Sequence, residues 1–117
     1  MEEALFRTML FDSYGELLTE KQREYFDLHY NEDLSLAEIA QSEGISRQSV
    51  WDIIRRAEES MRRYEEKTGL VVRFIAEREL LAEAEKKLVR LETMTEGEAQ
   101  TLTREIAATL QELRHGI

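Results

Sequence analysis

Ser35-Leu36-Ala37-Glu38-Ile39-Ala40-Gln41-Ser42-Glu43-Gly44-Ile45-Ser46-Arg47-Gln48-Ser49-Val50-Trp51-Asp52-Ile53-Ile54-Arg55-Arg56 is the stretch that decides the fold. Ser35 is placed to cap a short helix, and Glu38 three residues on completes a capping box. Leu36, Ile39 and Ala40 give that helix an inward face. Gly44 supplies the left-handed residue that ends it, and Ile45 is expected to plug the corner. Ser46 then caps a second helix, whose buried stripe falls on Val50, Ile53, Ile54, Ala57 and Met61. Two short amphipathic helices across a tight glycine turn form a helix-turn-helix. Cap, turn and core all point to it.

The flanking sequence is helical too. Leu5, Phe6, Met9, Leu10, Tyr14, Leu17 and Leu18 recur at steps of three and four, which predicts a helix over 3–18 that stops or bends at Gly15. Such a stripe serves a core or a dimer seam. Thr19-Glu20-Lys21-Gln22 is a second capping box, and the aromatic helix it opens runs to about Tyr30. It packs behind the two motif helices, making a three-helix unit. The second motif helix continues past Met61 to a stop at Thr68-Gly69. Leu70, Phe74, Leu81, Ala84, Leu88 and Leu91 form a short heptad-like seam, broadened by Leu80 and Val89. A last helix, from Glu98 to about His115, turns Ala99, Leu102, Ile106, Leu110 and Leu113 inward. The expected fold is all-α, with residues 1–68 a helix-turn-helix domain including an N-terminal helix. Residues 69–117 are expected to form a C-terminal helical arm or hairpin.

Composition excludes several functions. There are no cysteines and no prolines among 117 residues. A catalytic thiol and a disulfide are therefore absent, which suits a cytoplasmic setting. Glu2-Glu3-Ala4 is acidic where a signal peptide is basic, and no apolar run is long enough for a membrane. His29 and His115 lie far apart, which leaves no metal-ligand set, and no cofactor is expected. Neither a Gly-rich phosphate loop nor a Ser-His-Asp arrangement is present, so no catalytic residues are assigned and the chain is not expected to be an enzyme.

Charge is uneven. The net is −9, and up to Glu43 eleven acids stand against Arg7, Lys21 and Arg23. Residues 44–63 reverse this, with five arginines against Asp52, Glu58 and Glu59. Positive charge thus gathers on the second motif helix, a weak version of the footprint of a nucleic-acid reader. With Val50 inward, helical geometry puts Gln48, Asp52, Arg55 and Glu59 on the opposite side, flanked by Trp51, Arg56, Arg62 and Arg63. Arg47 and Gln48 occupy the first turn, where a recognition helix meets base edges. Trp51 can stack on an unpaired base, fill a partner's pocket, or lie at the edge of the core. The candidate binding residues are therefore Arg47, Gln48, Trp51, Asp52, Arg55 and Arg56. Against them, Asp52 can pair with Arg55 or Arg56, Glu58 with Arg62, and Glu59 with Arg63, which makes the face partly self-neutralising. An unpaired Asp facing phosphate costs roughly 1–4 kcal/mol.

Residues 19–63 resemble region 4 of bacterial sigma factors, a promoter-reading helix-turn-helix. Its base-reading positions fall on Arg47, Gln48, Trp51 and Asp52, of which Arg47 matches the pattern while Trp51 and Asp52 depart from it. Over roughly 9–92 the chain is more similar to the YlxM-type small bacterial proteins. The residues that carry this are Leu17-Leu18-Thr19-Glu20-Lys21-Gln22-Arg23, Leu34-Ser35-Leu36-x-Glu38-Ile39-Ala40 and Ser46-Arg47-Gln48-x-Val50-x-Asp52-x-Ile54-Arg55-Arg56. Those proteins are sigma-like and encoded beside signal recognition particle genes. The resemblance implies a regulatory or accessory role in that pathway, with the particle RNA or its GTPase as partner. A sequence-specific DNA-binding transcription regulator is the alternative, a protein-interaction module without nucleic acid a third reading. A homodimer through the N-terminal helix and the 70–91 helix is a further expectation.

Overall fold

A computed structural model describes residues 2–115. Met1, Gly116 and Ile117, at the outer ends of the two expected domains, lie outside the described residues. Six α-helices follow one another: α1 (Glu3–Tyr14), α2 (Glu20–Tyr30), α3 (Leu36–Glu43), α4 (Arg47–Thr68), α5 (Leu70–Thr93) and α6 (Gly97–His115). No strand occurs among the described residues. The chain forms two compact units that divide between Val71 and Val72, inside α5.

In the first unit α4 is the axis, and α1, α2 and α3 all pack on it. Local chemistry sets the helix ends. The Thr19 and Gln22 pair caps α2 reciprocally, and Ser35 and Glu38 do the same for α3. The Ser35 N–H and hydroxyl hold the Glu38 carboxyl below the usual carboxylate range. Gly44 stops α3 at φ +71° and Gly69 stops α4 at φ +63°, the left-handed region that glycine enters without a Cβ penalty. Ser46 caps α4 by accepting from the Ser49 N–H. The long first helix ends at Tyr14, and Gly15–Leu17 tighten into a single 3-10 turn.

The core of this unit is Leu10, Tyr14, Tyr25, Phe26, Ile39, Val50, Ile54, Ala57, Met61 and Val71, with Leu18 and Ala40. Phe11 stacks on Phe26 at 5.0 Å. Three expected core positions differ. Leu5 and Leu17 are 51% and 63% exposed, because α1 presses only its Leu10/Tyr14 side onto α4. Ile45, expected to plug the corner, is 37% exposed, while Ile39 and Val50 are fully buried. Ile53 is half-buried.

The second unit is a helical hairpin. Gln100 Nε2 donates to the Glu92 carbonyl (3.2 Å), Arg104 pairs with Glu92 (2.6 Å) and Arg114 with Glu85 (2.5 Å). The expected inward face of α6 is corrected. Leu102, Ile106 and Leu113 are exposed, whereas Thr103 is buried and Gln100, Ala107, Leu110 and Arg114 are half-buried. The buried side of α6 thus lies about one residue, roughly 100°, from its apolar stripe. On α5, Leu81, Ala84 and Leu88 are half-buried but Phe74 and Leu91 are exposed, so the seam closes only in its middle.

Candidate nucleic-acid interface

The outer face of α4 is a hydrogen-bonded ladder. Gln48 Nε2 donates to Asp52 (3.2 Å), Arg55 reaches the same carboxylate (3.7 Å), and its other terminal nitrogen binds Glu59 (2.6 Å). The ladder fixes a choice that helical spacing leaves open. Asp52 takes Arg55 rather than Arg56, and Glu59 takes Arg55 rather than Arg63, which bonds Ser60 instead. Among the described residues, the side chains of Arg47 and Arg56 form no ion pair or hydrogen bond. These two cations are therefore uncommitted.

Trp51 stands between two hollows. On one side Leu36, Ser46, Arg47 and Gln48 line an open groove of about 510 Å³ with it. On the other, a cleft of about 290 Å³ runs from Trp51 along α4 towards α1 and α2. The indole is 37% exposed, and among the described residues no aromatic or cationic side chain lies on its ring. Its exposed part is free to take a planar group. Arg47, Gln48 and Trp51 thus come together in the groove, Trp51 and Arg55 in the cleft, and Arg56 lies on the other flank of the helix.

Residues that sequence patterning does not single out build the cleft wall. Arg7 on α1 lies over the Tyr30 ring at 4.5 Å and bonds Glu58 at 2.7 Å. Arg62 bonds the other oxygen of Glu58 at 3.1 Å, and also pairs with Glu3. Burial alone would raise the Glu58 pKa, but the two guanidiniums outweigh it and hold the carboxyl below its usual range. Burial pushes the Tyr30 phenol up, so it stays neutral. The Arg7–Glu58 and Arg62–Glu3 contacts join residues more than fifty positions apart, which no local pattern carries, whereas Glu58–Arg62 is the i, i+4 pair that helical spacing predicts. His29 Nδ1 meets the Leu34 carbonyl at 2.8 Å, at the turn after α2. No group of three metal-ligating side chains gathers among the described residues, and no helix is long and apolar enough to cross a membrane.

A tightly capped pair of helices, crossed at a left-handed glycine and backed by a third, defines a helix-turn-helix protein. A family profile described as "Putative helix-turn-helix protein, YlxM / p13 like" matches residues 1–101. The chain belongs to this family, UPF0122. It is 41% identical to a UPF0122 protein of Thermoanaerobacter sp. strain X514, over 96% of this chain and 97% of that one. It is 47% identical to one from Shouchella clausii, over 75% and 81% of the two chains, and 42% identical to one from Listeria welshimeri, over 80% and 86%. The likeness is wider than the 9–92 span read from motifs and extends into α6.

Proposed function

We propose that this protein is a non-enzymatic, cytoplasmic accessory factor of the signal recognition particle pathway. It docks the particle RNA or its GTPase through α4. The pathway rests on the resemblance to the YlxM-type proteins. The mode rests on one observation, an accessible indole beside a helix face on which Arg55 and Arg62 are already tied to acids. Duplex binding leans on many phosphate contacts, and here three arginines of the helix, Arg47, Arg56 and Arg63, have no acid partner among the described residues. Loop bases and stacking suit such a surface better, because the deep major groove of A-form RNA does not admit a helix. Residues 1–68 carry the docking face, residues 69–117 form a helical arm, and two copies associate through the N-terminal helix and the 70–91 helix of that arm.

One observation favours a sequence-specific DNA regulator instead. Arg47 and Gln48 sit uncovered in the first turn of α4, the place from which a recognition helix reads bases. Titration of the particle RNA, the GTPase and random duplex DNA at two salt concentrations separates the readings. Trp51 is the sole tryptophan, so its fluorescence reports the face directly. A response to RNA or GTPase is expected. A sequence preference on duplex DNA with a steep salt slope would instead establish the regulator. Silence towards both particle components would end the pathway assignment.

A further inference from the structure

The cleft beside Trp51 has a composition suited to one kind of base. Trp51 gives it a flat wall, Tyr30 lines its far end under the Arg7 guanidinium, and Glu58, Glu59 and Arg55 supply its polar edge. Glu58 is tied down at both ends, since Arg7 holds one of its oxygens and Arg62 the other. Glu59 is different. One oxygen accepts from Arg55 at 2.6 Å, the other has no hydrogen-bond partner among the described residues, and the side chain is 50% exposed. A carboxylate next to a guanidinium presents, in order, acceptor, acceptor and donor. The Watson–Crick edge of guanine presents the complement: the N2 amino group and N1–H as donors, then O6 as acceptor. Adenine offers one donor and one acceptor, uracil has acceptors on both sides of its donor, and cytosine begins with two acceptors. In a duplex that edge is occupied by pairing, so the base must be unpaired to present it.

We propose that this cleft binds a single unpaired guanine of an RNA strand. The base stacks on Trp51, and Glu59 and Arg55 read its Watson–Crick edge. The assignment rests on the reading of RNA as the docking partner. Stacking on Trp51 tolerates any base, so discrimination falls to the Glu59–Arg55 pair. Two amine-type donors meeting a carboxylate are charge-assisted hydrogen bonds, stronger than neutral ones. An adenine in the same place leaves one of those oxygens without a donor.

The test uses the full chain and RNA hairpins with a single guanine in an otherwise all-adenine loop. The guanine is replaced by inosine, which lacks the N2 amino group, or by adenine. Trp51 quenching gives the affinity. The guanine hairpin is expected to bind about tenfold more tightly than the adenine one, the size of one charge-assisted hydrogen bond, with inosine between them. Glu59→Gln is expected to abolish the preference while leaving the adenine hairpin bound as well as before or slightly better, since a negative charge has gone. Asp52→Asn keeps the preference, because Asp52 touches Arg55 from outside the cleft. Equal affinity for all three hairpins would overturn the guanine site and leave RNA docking intact. Failure to bind any hairpin or the particle RNA would remove both. Guanosine monophosphate binding as tightly as the hairpin would overturn the RNA strand as the source of the base.

Discussion

Arg55 shows how one residue decides what a surface can do. Helical spacing offers Asp52 two arginine partners and Glu59 a third, and the rotamers that choose among them depend on the neighbours, not on the spacing. The choice of Arg55 for both acids leaves Arg47 and Arg56 without any partner and Arg63 with the Ser60 hydroxyl alone, so these are the cations that can meet phosphate. Arg47→Ala and Arg56→Ala are each expected to lower the log–log salt slope of RNA binding by about 0.7, the value for one phosphate on a single strand. Glu59→Gln should not lower it, and filter binding across a salt series reads the difference. Glu58 answers to pH. Its folded carboxyl titrates below the ordinary value of 4.5, so the unfolded chain binds the proton first as pH falls. Its contribution is complete above that value and is lost as pH drops through it towards the folded pKa. Glu58→Gln is expected to cost about 1–3 kcal/mol at pH 7, the scale of hydrogen bonds to a charged group. The gap should narrow progressively as pH falls below 4.5 in denaturant titrations. Neither Arg7 nor Tyr30 was legible as a neighbour of this carboxylate, since tertiary packing alone brings α1 and α2 to it.

At the scale of the element, what was legible followed from caps. A serine or threonine three residues before Glu or Gln, or a glycine after an apolar stripe, specifies a helix end through bonds spanning one turn. The ends of α2, α3 and α4 accordingly lie where the sequence puts them. Gly44 gives the sharpest check. No atom lies within 4 Å of a Cβ built there, so Gly44→Ala meets no clash and its penalty is the backbone's alone. At φ +71° that is about 1–2 kcal/mol. Gly44→Asn should recover part of it, because Asn visits the left-handed region more readily. Urea melts of the two variants measure the difference, and equal stability for Ala and wild type would mean that the turn relaxes out of that conformation. The rotation of α6 was not legible for the opposite reason. Its stripe fixes which residues are apolar, whereas packing against another helix, which local spacing does not carry, decides which of them are covered.

Over the whole molecule, hydrophobic burial is concentrated in one unit. Every apolar side chain fully buried among the described residues lies at or before Val71. The C-terminal unit holds long helices but closes its hairpin with ion pairs, and it leaves Leu102, Ile106 and Leu113 at 56%, 43% and 53% exposure. Phe74, Leu80, Leu81 and Leu113 line a groove of about 410 Å³ in the same unit. Each exposed Leu or Ile forgoes about 1.5–3 kcal/mol of burial, and exposed pairs such as Arg104–Glu92 return under about 1 kcal/mol each. A second copy that covers this stripe recovers the difference, whereas the first unit already has its core. Leu102→Ser, Ile106→Ser and Leu113→Ser combined should therefore shift sedimentation from dimer to monomer. The thermal transition of the helix-turn-helix unit should stay within a few degrees, the response to less than about 1 kcal/mol in a domain of this size. Wild-type protein that sediments as a monomer at tens of micromolar would mean that another partner covers the stripe. A triple variant that stays dimeric would move the contact off this stripe, to Leu80, Val89 and Met94 in the same unit or to Leu5 and Leu17 in the first, all with more than half of their surface in water.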